Sequence, residues 1–191
     1  MTRRRLPHIY PEGAALFATF HLHGSLPHHL SPPAPLKSGE AFVWLDRQID
    51  NPRSGPLFLK RPEIAQIVVE SIQRGAELGH YQLAAYIVMA NHVHLLIRPL
   101  IDPSRRLRSL KGASAREANI ALGRTGQPFW QKESYDHWVR NDDEFFRIRA
   151  YIENNPVKAG LVRTPAEFRW SSACIETSLD AARTSACATS G

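Results

Sequence analysis

The stretch YIVMANHVHLLIRP, residues 86–99, holds two histidines one residue apart in a run that is otherwise mostly apolar. Apolar segments on both sides of Ala90-Asn91 predict two strands that meet at a tight turn. Alternate residues of a strand point to opposite faces, so the second strand has two different faces. One face carries the histidines, with His92, His94 and Leu96. The other face is entirely apolar and belongs to the core, with Val93, Leu95 and Ile97.

Two imidazoles side by side on one strand face are well placed to bind one metal ion or one phosphate group. Two ring nitrogens alone make a weak metal site, so a third oxygen or nitrogen ligand must come from elsewhere in the chain. The alternative is a pair of half-buried histidines that bond to the backbone or to water. The motif is short, and on its own it leaves both interpretations open.

The composition favours an anionic partner. The chain has 191 residues, a formal net charge of +6 and a sequence pI of about 9.7, which is typical of a nucleic-acid-binding domain. A merely basic surface is the alternative. The two cysteines, Cys174 and Cys187, exclude a disulfide framework and a cysteine zinc site. Because no apolar segment approaches a membrane span of about 20 residues, we expect a cytoplasmic protein without a membrane partner.

The order of the predicted elements indicates an α+β fold. Hydrophobic periodicity predicts strand, helix, two strands, helix, an extended aromatic segment and a final helix. We therefore expect a ferredoxin-like antiparallel sheet with the helices packed on one face. The segments concerned are 16–23, 61–78, 81–99, 104–122, 128–139 and 141–155.

The final predicted helix brings a second constellation. Asn141 suits the N-cap position, Glu144 can complete a capping box, and Pro156 marks the approximate end. Tyr151 and Asn155 are four residues apart and therefore share one helix face. If this face packs against the histidines, Asn155 can complete the metal shell and Tyr151 can attack a metal-polarised phosphate. The alternative is a core-edge tyrosine and an asparagine that ends the helix.

Basic side chains cluster in three places: an N-terminal arm, the helix after the histidine strand, and the residue before the last helix. We predict that they neutralise DNA phosphates, with a solvated helix face as the alternative. The predicted DNA-binding residues are Arg3, Arg4, Arg5, Arg105, Arg106, Arg108, Lys111 and Arg140.

Four aromatic residues lie close together between the last two predicted helices. Aromatic rings can stack on unpaired bases, which would suit a single-stranded nucleic acid. Packing in the core is the alternative for most of them. The residues are Phe129, Trp130, Tyr135 and Trp138.

Four segments, taken in order, resemble one known family. They are YIVMANHVHLLIRP, LKGASAREAN, FWQKESYDHWVRNDDEFFRIRAYIENNPVKAGLV and FRWSS. This set resembles the REP-associated tyrosine transposases, which belong to the single-tyrosine HUH transposases. The likeness covers most of residues 10–172. One departure is Ala90, where the family usually has a proline, and we expect little consequence from it.

The resemblance implies an HUH nuclease domain that cuts and rejoins single-stranded DNA with Mg²⁺ or Mn²⁺. By motif position it assigns His92 and His94 as metal ligands, Asn155 as the third ligand and Tyr151 as the nucleophile. Tyr135 is a rival nucleophile, although its motif position is less suitable. The implied substrates are repetitive extragenic palindromes, which form hairpins in single strands.

We expect residues 1–172 to form a single domain that includes a basic arm (1–12) and a loop-rich insertion (24–60). Residues 173–191 are expected to be a disordered tail. The expected partner is single-stranded or hairpin DNA, the expected location is the cytoplasm in association with the nucleoid, and the protein would act as a monomer or a homodimer. Two other functions stay open: a sequence-specific regulator that binds nucleic acid without cutting, and a metal-dependent hydrolase that uses water.

Overall fold

The computed structural model describes residues 13–25 and 55–174, together with the isolated positions Trp44 and Gln48. Four strands, three α-helices and two short 3₁₀ helices lie in this part of the chain. Their order agrees with the predicted one. The elements are β1 (Leu16–His21), a 3₁₀ helix (Phe58–Lys60), α1 (Pro62–Glu77), β2 (Tyr81–Val88), β3 (His92–Pro99), α2 (Pro103–Ala121), β4 (Tyr135–Trp138), α3 (Asp142–Lys158) and a 3₁₀ helix (Pro165–Glu167).

The strands form one antiparallel sheet in the order β2-β3-β1-β4. Together with the chain order of strands and helices, this is the ferredoxin-like βαββαβ topology, so the predicted fold class is confirmed. The histidine strand β3 is central, between β2 and β1. Its register against β1 places His92 opposite His21 and His94 opposite Thr19.

Both faces of the sheet are covered, which corrects one expectation. Helices α1 and α2 pack on the apolar face of β3, with Val93, Leu95 and Ile97 in their shared core. Helix α3 packs on the opposite face, where Ile152 contacts a second core that includes Leu96. The prediction that all helices lie on one face is therefore wrong for α3. The physical reason is that the histidine face also carries large apolar side chains that must be covered.

The turn between β2 and β3 is tight, as predicted. The Met89 N–H donates to the His92 carbonyl at 2.9 Å, which closes the hairpin around Ala90 and Asn91. The Asn91 carbonyl accepts from the Leu22 N–H at 2.8 Å, and Asn91 is buried. The turn is therefore tied to the end of β1 and is not a mobile hairpin tip.

Helix α3 begins as predicted, with Asn141 as N-cap. The Asn141 side-chain oxygen accepts from the Glu144 N–H at 2.8 Å. The Glu144 carboxylate accepts from the Arg140 N–H at 2.7 Å, one residue before the position that a capping box requires. Its other oxygen lies 3.0 Å from the His137 Nε2, so this carboxylate joins α3 to β4.

The end of α3 differs from the prediction, because the helix passes through Pro156 and continues to Lys158. A proline removes one helical N–H, yet the Ala159 N–H still donates to the Asn155 carbonyl at 3.0 Å. The helical hydrogen bonding therefore resumes after the proline, at the carbonyl of Asn155.

The FRWSS segment covers the outer edge of β2. The Trp170 carbonyl accepts from the Val88 N–H at 2.9 Å, and the Ser172 hydroxyl oxygen accepts from the Tyr86 N–H at 3.1 Å. An isolated bridge joins Ser171 to Ile87. These contacts satisfy donors of an edge strand that would otherwise face solvent.

The predicted arm (1–12), most of the predicted insertion (24–60) and nearly all of the predicted tail (173–191) lie outside the described residues. The division into one domain and a tail therefore stays a prediction. Among the described helices, none has the length and apolar character to cross a membrane.

Candidate functional site

The two histidines of β3 lie side by side beneath α3. Their ring centroids are 4.7 Å apart with an interplanar angle of 66°. Both side chains are fully buried, with 1% of His92 and 0% of His94 exposed. Because β3 is hydrogen-bonded to a neighbouring strand on each side, the two rings are held by an interior strand of the sheet.

Helix α3 brings the predicted tyrosine and asparagine to this pair. The Tyr151 ring centroid lies 5.6 Å from that of His94, and the Asn155 Nδ2 lies 3.5 Å from the His94 Nε2. Between them Ile152 is fully buried in the core beneath the helix, which fixes the rotation of α3 about its axis. The structure therefore places His92, His94, Tyr151 and Asn155 in one cluster.

The rival tyrosine lies farther from the histidines. Tyr135 is on β4 in the same row as Thr19 and His94, and two strand spacings of about 4.8 Å separate its backbone from that of His94. The Phe17 ring stands between the two tyrosines, with its centroid 6.5 Å from Tyr151 and 6.4 Å from Tyr135. Proximity to the histidine pair therefore favours Tyr151.

Burial favours the neutral form of His92 and of His21 by lowering their pKa values. It lowers the pKa of His92 well below its ordinary value, and the neighbouring His94 and His21 act in the same direction. The pKa of His21 is lowered to about 4, first by burial and then by the charge of Lys111. Neutral imidazole is the form that ligates a metal.

The cluster contains chemically suitable ligands for a divalent cation. Within the described part of the chain, no group of three His, Cys, Asp or Glu side chains could hold a metal, so the third ligand that these residues offer is of another type. The Asn155 Oδ1 is buried and has no hydrogen-bond partner among the described residues. Two imidazole nitrogens and this amide oxygen fit a cation that completes its shell with water and phosphate oxygens.

Two polar neighbours of the pair were not singled out by the sequence pattern. The Thr19 Oγ1 lies 2.8 Å from the His94 Nδ1, and the Asn91 Oδ1 lies 2.9 Å from the His92 Nδ1. The alternation in β1 does place Thr19 and His21 on one strand face. Only the register between β1 and β3 shows which histidine each of them meets.

Helix α2, which carries most of the predicted cations, packs on the other face of the sheet from this cluster. Arg105 and Arg108 are exposed, whereas Arg106 is half-buried with its Nη1 3.5 Å from the His80 Nε2. The Lys111 Nζ donates to the backbone carbonyls of residues 131 and 132, at 2.9 and 3.2 Å. Lys111 therefore has a structural role besides any contact with DNA.

The remaining predicted DNA-binding and stacking residues differ in exposure, and some lie outside the described residues. Arg140 is exposed just before α3, and Arg3, Arg4 and Arg5 lie outside the described residues. Phe129 and Trp130 are buried in the core, where the Trp130 Nε1 donates to the Ser114 hydroxyl oxygen at 3.0 Å. The core alternative is therefore correct for these two, while Tyr135 and Trp138 are only partly buried.

The sequence pattern also did not indicate a basic groove on the outer side of α3. Arg147, Tyr151, Asn154 and Lys158 follow one helix face and line a shallow cavity of about 390 Å³. The Lys158 Nζ lies 4.7 Å from the Tyr151 ring centroid. The spacing of these residues was readable in the sequence, but the exposure of this face was not.

A second cavity opens at the other end of the cluster. It has a volume of about 420 Å³, and its lining includes Asn91, His92, Phe168 and Trp170. This cavity reaches the cluster at His92, whereas the groove on α3 reaches it at Tyr151.

Comparisons with known proteins point to one family. The family model described as "Transposase IS200 like" matches residues 58–155, which is just over half of the chain and includes the four clustered residues. No curated protein matches the chain.

Two of the solved structures that resemble the chain are transposases by their descriptions. One is described as the REP-associated tyrosine transposase bound to a REP hairpin, with 20% identity, a TM-score of 0.56, and coverage of 90% of this chain and 82% of that one. It shows the same fold. The other is a putative transposase from Deinococcus radiodurans R1, with 18% identity, a TM-score of 0.39, and coverage of 79% and 97%.

Proposed function

The chain belongs to the family of IS200-like transposases, and on this basis we propose that it cuts and rejoins single-stranded DNA through a covalent bond to Tyr151. The observation that carries the proposal is the packing of α3, which sets Tyr151 and Asn155 against the buried histidine pair. A tyrosine beside a set of neutral metal ligands is suited to nucleophilic attack on a phosphodiester.

The proposed reaction is a transesterification. The Tyr151 phenolic oxygen attacks the scissile phosphorus, a phosphotyrosine bond forms, and the bond from phosphorus to the leaving sugar oxygen breaks. The proton lost by the phenol is balanced by the proton gained by the leaving hydroxyl. Because one phosphodiester replaces another, the step conserves bond energy and can run backwards to join a strand.

His92, His94 and Asn155 would hold a divalent cation, Mg²⁺ or Mn²⁺. When bound, such an ion supplies positive charge to a non-bridging phosphate oxygen as charge builds up there. The chain's own contribution at His92 is to keep the imidazole neutral, since burial lowers its pKa. Asn155 lies one helical turn after Tyr151, so a single rigid helix would position both the nucleophile and the third ligand.

The cations beside Tyr151 suggest the path of the DNA. A strand joined to Tyr151 must carry its next phosphates past the helix face that bears Arg147 and Lys158. Both side chains are exposed, so they are accessible to a phosphate backbone. We propose single-stranded DNA with a hairpin as the substrate class, because the solved structure of the same fold is described as bound to a REP hairpin.

A gel assay for covalent protein–DNA adducts tests the proposal. The full chain is incubated with labelled hairpin DNA that carries a single-stranded extension, with Mn²⁺, Mg²⁺ or EDTA. We expect an adduct that depends on the metal, that Tyr151→Phe abolishes and that Tyr135→Phe retains. Tyr135→Phe is the matched control, since it removes one phenol oxygen from the same face of the sheet.

Each other outcome contradicts the proposal in a different way. Adduct with Tyr151→Phe but not with Tyr135→Phe would assign the nucleophile to β4. Cut DNA without any adduct would indicate hydrolysis by water. Tight binding of the hairpin without cutting in either metal would indicate a regulator that only binds.

A further inference from the structure

We propose that Asn91 and Thr19 are positioning residues that accept a hydrogen bond from the Nδ1 of each histidine, so that the unprotonated Nε2 of each ring is the atom that would bind a cation. This inference rests on the proposed function only for its assignment of the two histidines as ligands. Neither Asn91 nor Thr19 would touch the metal or the DNA.

The contact at His92 allows one arrangement of the proton. The Asn91 Oδ1 lies 2.9 Å from the His92 Nδ1, and an amide oxygen can only accept a hydrogen bond. The Nδ1 of the neutral ring must therefore carry the proton, which leaves the Nε2 with its lone pair. Asn91 is itself held, because it is 2% exposed and its carbonyl accepts from the Leu22 N–H.

The contact at His94 needs one further step. The Thr19 Oγ1 lies 2.8 Å from the His94 Nδ1, and a hydroxyl can either donate or accept. On the other side of the ring the Asn155 Nδ2 lies 3.5 Å from the Nε2, and an amide nitrogen can only donate. The Nε2 must therefore accept, so the proton is on Nδ1 and the Nδ1–H donates to the threonine hydroxyl oxygen.

Both rings therefore have the same tautomer. A metal ligates only a nitrogen that has no proton, and a hydrogen bond at the other ring nitrogen is the usual device that selects it. The Asn155 amide directs its nitrogen towards the His94 Nε2. Its buried oxygen, which lacks a hydrogen-bond partner among the described residues, would take that place when a cation binds.

The positions follow from the sheet register. Thr19 is the cross-strand partner of His94, so its hydroxyl meets the ring edge that faces away from α3. Asn91 is the last residue of the turn and directly precedes His92. A shift of one residue in the pairing of β1 with β3 would turn Thr19 to the opposite face.

Nuclear magnetic resonance of the metal-free full chain tests the tautomers directly. Two-bond proton–nitrogen correlations of ¹⁵N-histidine-labelled protein distinguish a protonated Nδ1 from a protonated Nε2. We expect Nδ1–H for both rings in the native chain. Asn91→Ala should change only the His92 pattern, and Thr19→Val should change only that of His94. A protonated Nε2 on either native ring would overturn the inference.

Titration of Mn²⁺ into the same metal-free protein, followed by electron paramagnetic resonance without DNA, tests the consequence. Loss of an outer partner of a metal ligand typically weakens binding by about 10- to 100-fold. We expect a weakening in that range for Asn91→Ala and Thr19→Val, and recovery with Asn91→Asp and Thr19→Ser, which restore the acceptor. Native affinity in all four variants would contradict the inference.

Asn119→Ala is the matched control. Asn119 is a buried amide on α2, and its Nδ2 donates to the Gln127 carbonyl at 2.7 Å on the other side of the sheet. This variant should lose stability without any change in Mn²⁺ affinity. If the tautomers are as expected but no covalent adduct forms with DNA, the proposed function fails and this inference stands. If adduct forms and the tautomers differ, this inference fails alone.

Discussion

At the scale of single residues, burial determines the chemistry of the histidine pair. A fully buried imidazole resists protonation, because the charged form loses its hydration. His92 lies in such a position, and His94 and His21 beside it make protonation less favourable still. A cation binds a neutral ring, so burial also suits His92 to the metal role proposed for it.

Replacing one histidine tests whether the pair binds metal. We expect His92→Ala to weaken Mn²⁺ binding by more than about 100-fold, since even outer partners of a ligand contribute about 10- to 100-fold. Metal-dependent adduct should be lost to the same extent. Equilibrium titration and the adduct assay measure the two effects.

The control for that variant is Leu96→Ala, on the same strand face and equally buried. It leaves a cavity that costs about 2 to 5 kcal/mol of stability but removes no ligand. Unchanged Mn²⁺ affinity in His92→Ala, or equal losses in both variants, would contradict the metal role.

The lowered pKa of His21 predicts a loss of stability in acid. His21 titrates near pH 4 in the folded protein, against an ordinary value of 6.5. Below pH 6.5 the unfolded chain gains a proton that the folded chain refuses, so stability falls as the pH drops to about 4 and then levels off. His92 acts in the same direction. The contribution of His21 is about 3 kcal/mol at most.

Chemical denaturation between pH 7 and pH 4 measures this effect. We expect the free energy of unfolding of His21→Gln to fall less steeply over this range than that of the native chain. The control is His23→Gln, because His23 is exposed beside the same strand. Parallel curves for the native chain and for His21→Gln would show that His21 does not resist protonation.

Residue types could be predicted from the sequence, whereas their partners could not. The alternation in HVHLLI was enough to place His92 and His94 on one face, and the spacing of Tyr151 and Asn155 was enough to place them on one helix face. The roles of Thr19 and Asn91 depend on cross-strand register and on the closure of a turn. These are contacts between segments, and no local pattern encodes them.

At the scale of elements, helix α1 packs closely against strand β2 at a single glycine. The Tyr81 hydroxyl donates to the Ile72 carbonyl at 2.7 Å, and the tyrosine ring lies directly against Gly75. A β-carbon at position 75 would overlap the tyrosine ring and hydroxyl. The glycine therefore allows a close approach of helix and strand that any side chain would prevent.

We expect Gly75→Ala to destabilise the protein by about 1 to 3 kcal/mol, since overpacking of a core outweighs the gain in helix propensity. Gly112→Ala is the control, because Gly112 is exposed within α2 and a β-carbon there would meet nothing within 4 Å. It should stabilise by about 0.5 to 1 kcal/mol. Thermal unfolding of both variants measures the difference, and equal shifts would contradict the predicted overlap.

Element boundaries could be predicted where capping and periodicity agree, as at the start of α3. The end of α3 could not be predicted in this way. A proline usually ends a helix, yet α3 continues past Pro156 to Lys158. The prediction that α3 packs on the same face of the sheet as the other helices was also wrong. Periodicity shows that a helix has an apolar face, but it does not show which surface that face will cover.

At the scale of the whole molecule, the sheet separates two groups of basic residues. The exposed arginines of α2, Arg105 and Arg108, lie on the side that α1 and α2 cover. Arg147 and Lys158 lie beside Tyr151 on the side that α3 covers. If the protein acts on hairpin DNA as proposed, the two groups cannot contact the same phosphates, and their effects on binding and cutting should differ.

We expect the charge-neutral variants of the α3 group, Arg147→Gln with Lys158→Gln, to lower the yield of covalent adduct even when DNA is saturating. These cations lie where the strand joined to Tyr151 must pass. Arg105→Gln with Arg108→Gln should instead weaken hairpin binding and leave the adduct yield at saturation unchanged. Each lost phosphate contact should also reduce the slope of log affinity against log salt by about 0.7 to 0.9.

Arg116→Gln with Arg124→Gln is the control pair, matched in charge, and should change neither hairpin affinity nor adduct yield. Loss of adduct at saturation from the α2 pair would mean that the cutting site receives DNA from the opposite side of the sheet, and that the groove on α3 is not its path.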